Sequence, residues 1–321
     1  MKKYLITGVS GFVAYHFLEH LNELGEKADA LGLDLKIPQE VMDYSFENVN
    51  LNFMEINLLE YKTLENAVVS FNPDYIVHLA SFSSVGKSWE MPSECFLNNN
   101  AIFLNIAEIA RLNKINCRIL SVGSSEEYGN VKETDIPLKE NMRLHPSSPY
   151  AIARVSQEML SECYVQAYKL DIILTRSFNH IGPRQRLDFV IPSFAKQISD
   201  GVKQGQKEIT LFTGDISVIR DFTDVRDVVS AYFALFKDGK AGECYNICSG
   251  KGHSLKEVIE MLAKIFEVKI ITETDPKRVR PADNKIIVGS FRKIKEHTGW
   301  EPKFSLEESL KAVVGFLENQ C

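Results

Sequence analysis

The sequence lacks an excess of basic residues, a long hydrophobic run and closely paired cysteines. Lys and Arg number 37 against 43 Asp and Glu, a net charge of −6, which argues against general nucleic-acid binding because that requires a basic face. No apolar run approaches the roughly 18 residues of a membrane-spanning helix, and the apolar run after Met1 is too short for a signal peptide. The six cysteines include no CxxC pair, which argues against a disulfide framework or a zinc site. We therefore expect a soluble, cytoplasmic protein with no membrane partner, no nucleic-acid partner and no metal.

The alternation of strand-like and helix-like segments predicts the fold class. With 321 residues, of which 45% are hydrophobic, the chain can bury a sizeable core. We predict strands at residues 4–6, 28–33, 51–56, 75–79, 117–122 and 172–175, and helices at 60–69, 95–112 and 149–168, with one more that starts at Phe12. Strands that alternate with helices of these lengths indicate βαβ units and a parallel sheet.

The rhythm of the sequence changes after about residue 176, where prolines and glycines divide it into shorter segments. Helices are predicted there near residues 191–201, 225–236, 255–266 and 306–317. We therefore predict a Rossmann-type doubly wound parallel sheet in residues 1–176, with a return segment near 223–247. Residues 177–222 and 248–321 would form a smaller mixed α/β lobe that supplies one wall of a cleft.

A glycine-rich turn, Gly8–Ala14, follows the first predicted strand and opens the first helix. Gly8 would permit a tight turn, Gly11 would let the backbone approach a pyrophosphate, and Ala14 is small enough for close packing of the helix on the sheet. Backbone N–H groups at a helix N-terminus favour a diphosphate. The alternative is an ordinary strand–turn–helix. We predict a dinucleotide site formed by Gly8, Gly11, Phe12 and Val13.

An acidic residue, Asp34, ends the second predicted strand about 20 residues beyond the glycine turn. A carboxylate at this position accepts hydrogen bonds from a ribose 2′-hydroxyl and repels a 2′-phosphate. The sequence therefore favours NAD over NADP, the alternative being a solvated carboxylate at a strand end.

A polar segment, Ser121–Gly129, follows the fifth predicted strand, at the edge where parallel sheets place ligands. Tyr150 and Arg154 lie one helical turn apart on the same face of the next helix. A tyrosine beside a cation can act as a base toward an alcohol, and the hydroxyl of Ser124 could orient the same oxygen. The alternative for this pair is an aromatic ring packed over an arginine.

These motifs together resemble the extended short-chain dehydrogenases/reductases of the nucleotide-sugar epimerase/dehydratase type. The matching positions are the turn at Gly8, His78-Leu79-Ala80, Ser124-Ser125-Glu126, Tyr150 and Arg220-Asp221-Phe222. Through Arg176–Pro183 and Arg220–Asp227 the chain is most similar to enzymes of GDP-sugars. These are the GDP-mannose and GDP-N-acetylglucosamine 4,6-dehydratases and the GDP-4-keto-6-deoxymannose reductases.

The resemblance implies a role for each matching residue. The catalytic residues would be Ser124, Glu126, Tyr150 and Arg154, with Glu126 as the base that takes the C5 proton of the sugar. Glu126 and its neighbour Glu127 could instead be solvated loop carboxylates. Arg154 stands where the family has Lys, and its planar guanidinium cannot reproduce the contacts of an ammonium with the cofactor.

The resemblance also assigns binding residues and an assembly. NAD would be contacted by Gly8, Gly11, Phe12, Val13, Asp34, Leu79, Ala80, Asn99, Tyr150 and Arg154. The GDP-linked sugar would be contacted by Ser124, Asn179, Arg184, Lys196, Arg220 and Arg280. His78 would be a packed residue at the end of a strand, and the helices near 95–112 and 148–168 would pair in a homodimer.

The implied activity is an NAD-dependent GDP-sugar 4,6-dehydratase. The alternatives are a GDP-4-keto-6-deoxy-sugar reductase, a GDP-sugar C4 dehydrogenase and, more distantly, a dinucleotide-binding protein without catalysis.

Overall fold

The computed structural model describes residues 1–278 and 284–319. The strands are β1 (Lys2–Thr7), β2 (Ala28–Asp34), β3 (Val49–Glu55), β4 (Tyr75–His78), β5 (Arg118–Ser124), β6 (Asp171–Ser177), β7 (Asn179–Ile181), β8 (Glu208–Thr213), β9 (Ile219–Asp224), β10 (Cys244–Ile247), β11 (Gly252–Ser254), β12 (Lys269–Thr274) and β13 (Ile286–Ile287). The helices are α1 (Phe12–Glu23), α2 (Gln39–Met42), α3 (Tyr61–Phe71), α4 (Val85–Glu90), α5 (Pro92–Leu112), α6 (Pro149–Tyr168), α7 (Val190–Lys203), α8 (Val225–Asp238), α9 (Leu255–Phe266), α10 (Arg292–Thr298) and α11 (Leu306–Asn319).

A seven-stranded parallel sheet in the order β10-β6-β5-β4-β1-β2-β3 forms the larger part of the molecule. Its strands alternate between two buried faces: Ile6 packs with α1 and α8, whereas Leu5 packs with α3 and α5. A parallel sheet covered by helices on both faces is the Rossmann-type architecture, so the predicted fold class is confirmed. The order reverses between β1 and β4, and ligands bind such sheets at this point, beyond the carboxyl ends of the strands.

The smaller lobe packs its helices around short strands. Strand β9 pairs with β11, β13 and β7, and β8 pairs with β12. Helices α7, α9 and α11 enclose an apolar core that includes Ile198, Val258 and Val313. Segment 225–247 leaves this lobe and returns to the large sheet as α8 and β10.

Differences from the predicted elements are confined to short segments and ends. Helix α5 begins at Pro92 rather than at residue 95, and α4 was not predicted, although Ser84 caps it by accepting a hydrogen bond from the Lys87 N–H. The strands of the smaller lobe were also missed. Several of them span only two or three residues, which is too short to show a periodicity.

A buried ion pair fastens helix α6 to the sheet. Nη2 of Arg176 in β6 lies 2.6 Å from Oε1 of Glu158, and its Nε lies 2.9 Å from Oε2 of the same carboxylate. Both side chains are buried. Removal of one partner from such a pair leaves an uncompensated charge in the interior.

We therefore expect Arg176→Met to lower the free energy of unfolding by about 3–5 kcal/mol, as measured by urea denaturation. The matched control is Arg292→Met, which removes an exposed partner of Glu296 and should cost less than about 1 kcal/mol. Equal losses in the two variants would show that the buried pair does not stabilise α6.

Candidate active site

A cleft of about 790 Å³ opens beyond the carboxyl ends of the central strands, between the two lobes. Among the described residues, its lining includes most of the predicted site: Gly8, Gly11, Phe12, Val13, Asp34, Leu79, Ala80, Ser124, Glu126, Tyr150, Arg154, Asn179 and Arg184. They come from both lobes and from widely separated parts of the chain, so the fold brings these motifs to one cavity.

The glycine turn forms one end of the cleft. Gly8 has φ of +73°, and its N–H donates to the Leu33 carbonyl at 2.8 Å. A Cβ at Gly8 would lie 2.7 Å from the backbone nitrogen of Ala80, so no larger residue fits between the ends of β1 and β4. Gly11 then precedes α1 and leaves the first turn of that helix facing the cavity. This cradle fits the diphosphate of a dinucleotide.

Asp34 lies at the end of β2 with its carboxylate held in place by two backbone groups. Its Oδ2 accepts from the Ser10 N–H at 3.0 Å and its Oδ1 from the Leu35 N–H at 2.8 Å. The side chain is half-buried and lines the cleft. A fixed carboxylate next to the glycine cradle fits the ribose of a bound dinucleotide.

Asn99 occupies a different place from the predicted one. It is buried on α5 and is not among the described residues that line the cleft. Its Oδ1 accepts from the Phe82 N–H at 2.7 Å, and its Nδ2 donates to the Phe82 carbonyl at 3.3 Å. Asn99 therefore shapes the loop that follows β4, and this loop supplies Ser81 and Ser83 to the cavity.

Tyr150 and Arg154 are buried together at the start of α6, with 7% and 5% of their surface exposed. Pro149 begins the helix, and Ser148 caps it by accepting from the Ala151 N–H at 3.1 Å. The Arg154 Nε–H donates to the Tyr150 hydroxyl oxygen at 3.3 Å. This contact places a permanent positive charge at the oxygen where a phenolate would form.

His78, below this pair, is fully buried at the end of β4, and its Nδ1 lies 2.9 Å from the Thr7 hydroxyl. Burial and the nearby Arg154 charge lower the pKa of His78 to about 3, so its ring is neutral at physiological pH.

The polar segment after β5 presents two neighbouring carboxylates in different ways. A short 3-10 turn, Ser125–Tyr128, places Glu126 in the cleft lining, and the Ser124 hydroxyl oxygen accepts from the Glu126 N–H at 3.2 Å. The adjacent Glu127 is fully buried, and its Oε1 accepts from the Ser124 N–H at 2.6 Å. Burial raises the pKa of Glu127 well above its usual range. The interpretation of Glu127 as a solvated loop carboxylate is therefore wrong: the turn directs it into the interior beneath Ser124.

The predicted substrate residues are only partly brought together. Asn179 and Arg184 line the cleft. Lys196 lies on α7, where its Nζ contacts Asp200 on the next turn at 2.5 Å, and Arg220 is buried in β9 with Nη1 donating to the Ile219 carbonyl at 2.9 Å. Neither is among the described residues that line the cleft. Arg280 lies outside the described residues.

Arg184 lies toward the glycine-turn end of the cleft. Its guanidinium is 3.8 Å from the ring centre of Tyr15 on α1 and 5.4 Å from that of Tyr44. The segment that leads into α7 thus contacts α1 and the segment after α2 through a cation held between aromatic rings.

Several other groups at the site were not predicted from the sequence. Arg186 and Asp188 form an ion pair at the rim of the cleft, next to Phe189. Gln157 contacts Arg154 from the next turn of α6. The sequence could have indicated Gln157, because a residue seven positions after Tyr150 lies on the same face of the helix.

Within residues 1–278 and 284–319, no group of three or more His, Cys, Asp or Glu side chains could hold a metal ion. None of the helices described over those ranges is both long and apolar enough to cross a membrane.

The glycine cradle makes a specific prediction. In Gly8→Ala, the new Cβ collides with the Ala80 backbone and the residue keeps an unfavourable positive φ, so we expect NAD affinity to fall about tenfold or more in isothermal titration calorimetry. Gly25→Ala is the matched control. Gly25 has a similar φ of +72°, but nothing lies within 4 Å of its Cβ position, and its substitution should leave NAD affinity unchanged.

Comparison with known proteins places this geometry in context. A GDP-6-deoxy-D-mannose reductase from Pseudomonas aeruginosa is 33% identical over 319 residues, covering 99% of this chain and 98% of that protein. A GDP-mannose 4,6-dehydratase from Yersinia enterocolitica is 26% identical, with coverage of 98% and 93%.

Solved structures of related enzymes are similar to this chain over its whole length. RMD from Pseudomonas aeruginosa, complexed with NADPH, superimposes with a TM-score of 0.85 at 30% identity over 100% of both chains. UDP-glucose 4-epimerase from Thermus thermophilus, in complex with NAD, has a TM-score of 0.86 at 26% identity, with coverage of 99% and 100%.

The match to a family extends over almost the whole chain. Residues 5–313 match the family described as GDP-mannose 4,6 dehydratase. The glycine cradle, the segment after β5 and the Tyr150–Arg154 pair all lie within these bounds. The chain therefore belongs to the GDP-mannose 4,6-dehydratase family, within the NAD-dependent epimerases and dehydratases of the short-chain dehydrogenase/reductase fold.

Proposed function

We propose that the protein is an NAD-dependent GDP-sugar 4,6-dehydratase, which converts its substrate to a 4-keto-6-deoxy nucleotide sugar. The observation that carries this proposal is the presence of Glu126 in the same cleft as Ser124 and Tyr150. A dehydration requires a second base near the sugar, in addition to the group that takes the hydroxyl proton at C4. Glu126 is the lining carboxylate that lies in the same segment as Ser124, whereas Asp34 lies beside the glycine cradle and Asp188 is paired with Arg186.

Each side chain has one task in the reaction. Tyr150, with the Arg154 Nε–H on its oxygen, takes the proton of the C4 hydroxyl, and the Ser124 hydroxyl donates a hydrogen bond to the same sugar oxygen. When bound, NAD supplies the hydride acceptor for C4 and the hydride donor for C6. The C4 ketone acidifies the C5 hydrogen. Glu126 removes that proton and gives it to the C6 hydroxyl, which leaves as water. When C6 is reduced, C5 regains a proton from Tyr150, which then returns to its starting state.

The preference for NAD follows from Asp34. Its carboxylate is fixed by the Ser10 and Leu35 N–H groups and faces the site of the ribose, where it would repel a 2′-phosphate. The structure of RMD from Pseudomonas aeruginosa holds NADPH, whereas that of the Thermus epimerase holds NAD. From Asp34 we infer that this protein prefers NAD, the cofactor present in the structure of the Thermus epimerase.

The GDP-linked sugar would occupy the other end of the cleft. Asn179 and the rim residues Arg186 and Asp188 provide amide, cationic and anionic groups there. Arg220, Lys196 and Arg280 remain candidates for the diphosphate through the resemblance alone. The nucleotide is inferred to be GDP because residues 5–313 match the GDP-mannose 4,6 dehydratase family and the relative at 33% identity is a GDP-6-deoxy-D-mannose reductase.

A second candidate function is the reduction of a GDP-4-keto-6-deoxy sugar. It is favoured by the 33% identity to the reductase of Pseudomonas aeruginosa. Reduction uses Ser124 and Tyr150 in the reverse sense, with Tyr150 giving a proton to the C4 oxygen. A C4 dehydrogenase would use both residues in the same sense as the dehydratase, and neither reaction requires Glu126. A role without catalysis is disfavoured by the buried contact between Arg154 and Tyr150, which dinucleotide binding alone would not need.

The two activities differ in their redox balance and in their need for Glu126. With GDP-mannose or GDP-N-acetylglucosamine, we expect a 4-keto-6-deoxy product, identified by mass spectrometry, without net change in NADH absorbance. Glu126→Gln should slow this reaction at least 100-fold, since general base catalysis contributes about 10²–10⁴ in rate. The exposed Glu133→Gln serves as the control. Stoichiometric oxidation of NAD(P)H by a GDP-4-keto-6-deoxy sugar, at a rate that Glu126→Gln leaves unchanged, would establish the reductase instead.

We also propose that the protein forms a homodimer through α5 and α6. These helices pack against each other and leave apolar side chains in solvent: Phe96, Leu97 and Leu104 on α5, and Ile152 and Met159 on α6. Leu97 is 65% and Met159 60% exposed. Several exposed apolar side chains on two helices that pack together are the kind of feature that an interface would bury.

The oligomeric state tests this surface. We expect a dimer by sedimentation velocity for the wild type, and a monomer for the double variant Leu97→Asp/Met159→Asp, because burial of the two carboxylates would be costly. Leu59→Asp, which alters an exposed leucine outside α5 and α6, should leave the dimer intact. A monomeric wild type at micromolar concentration would exclude the interface.

A further inference from the structure

Helix α6 carries a row of polar side chains on its buried face, where an apolar row is expected. Tyr150, Arg154, Gln157 and Ser161 follow one another at intervals of three or four residues, and all four are buried. Burial of polar groups costs free energy unless they are hydrogen-bonded. The last two, Gln157 and Ser161, are not among the described residues that line the cleft, so contact with a ligand does not explain them.

The hydrogen bonds of this row fix the orientation of the Gln157 amide. The Ser161 hydroxyl is a donor to the Gln157 backbone carbonyl at 2.8 Å and to the Ser121 oxygen at 3.0 Å, sharing its one hydrogen between them. The Gln157 Nε2–H group donates to the Ser121 oxygen at 2.9 Å and to the Val122 carbonyl at 3.3 Å. Because a carbonyl can only accept, the amide nitrogen must lie on this side, and Oε1 of Gln157 points toward Arg154.

The orientation of Gln157 in turn sets the guanidinium of Arg154. Its Nη1 donates to Gln157 Oε1 at 2.8 Å and to the Val122 carbonyl at 3.0 Å. Its Nη2 donates to the Ser81 hydroxyl. Because a guanidinium is planar, these contacts fix its plane and leave Nε–H directed at the Tyr150 oxygen.

We propose that Ser161, Ser121 and Gln157 form a positioning relay, which holds Arg154 in the orientation that stabilises the Tyr150 phenolate. The relay also accounts for arginine at this position. Arg154 satisfies four acceptors, on Tyr150, Gln157, Val122 and Ser81. An ammonium has only three N–H donors on a single nitrogen and cannot reach all of them. The inference rests on the proposed role of Tyr150 as the base at the C4 hydroxyl.

The other titratable groups around the pair do not obscure its titration. From β4, the ring of His78 is neutral, with its pKa lowered to about 3 by burial and by Arg154. From α5, burial raises the pKa of the Cys95 thiol, and from α8 burial raises the pKa of Tyr232 to about 12. Glu126 lines the same cleft. The charge nearest the Tyr150 oxygen is that of Arg154, and its orientation is what the relay controls.

The test follows the ionisation of Tyr150 itself, in the full-length protein and without turnover. Protein labelled with ¹³C at tyrosine Cζ is titrated by NMR, and the Tyr150 signal is assigned by its loss in Tyr150→Phe. In Gln157→Met, Arg154 loses an acceptor and its plane is released. We expect the midpoint of the Tyr150 signal to rise by about one pH unit. Ser161→Ala, a smaller change further along the relay, should raise it in the same direction and serves if Gln157→Met folds poorly.

Controls separate positioning from general destabilisation. Ser199→Ala removes a serine that is equally buried, on α7 of the other lobe, and should leave the midpoint unchanged. Arg154→Lys should raise the midpoint, and adding Gln157→Met to it should have little further effect because the relay then has no guanidinium to orient. The relay would be overturned if Gln157→Met and Ser161→Ala both fold and the midpoint of the Tyr150 signal in each equals that of the wild type. A midpoint that rises in the relay variants as expected, in a protein whose wild type turns over no GDP-sugar, would instead count against the proposed function.

Discussion

The arrangement of the site depends on the guanidinium of Arg154, which is buried beside Tyr150. A charge that is removed from water costs several kcal/mol unless its donors are all paired, and Arg154 is permanently charged. The end of β5, the loop after β4 and the next turn of α6 each supply an acceptor to it. Strand β5 and the loop after β4 are thus fixed relative to α6, and Tyr150 is held in the lining of the cleft.

The segment after β5 is organised by a second buried charge cluster. Glu127 holds the Ser124 N–H from below, and the Arg176 guanidinium lies 3.7 Å from the free oxygen of Glu127 while it pairs with Glu158. Ser124 is therefore oriented from inside the protein, which leaves its hydroxyl and the Glu126 side chain for the cleft. Of the two adjacent glutamates, the buried Glu127 positions the segment and Glu126 lines the cleft.

The first half of the fold could be predicted from sequence because its elements are long and strongly periodic. Residues 149–168 were predicted as a helix and form α6 with these bounds. Strands β7, β11 and β13 could not be found in this way, since two or three residues show no period and these strands form only through pairing with β9. The helices of the smaller lobe follow the predicted segments 191–201, 255–266 and 306–317, whereas its short strands are defined by tertiary contacts rather than by local pattern.

The candidate site shows the same division between local and tertiary information. Spacing alone predicted the cradle at Gly8 and the carboxylate of Asp34, because a backbone turn and a strand end determine where these groups point. Spacing could not distinguish Glu126 from Glu127, or assign Asn99 to a loop rather than to the cofactor.

The motif Arg220-Asp221-Phe222 shows the limit of assigning a role to a residue by resemblance. Asp221 is buried and accepts from Ser249 N at 2.8 Å, Gly250 N at 3.0 Å and Gly289 N at 3.2 Å. Burial raises its pKa to about 6 although these bonds favour the carboxylate. It joins β9 to the segments that follow β10 and β13, so a motif that resemblance associates with substrate binding also holds the smaller lobe together.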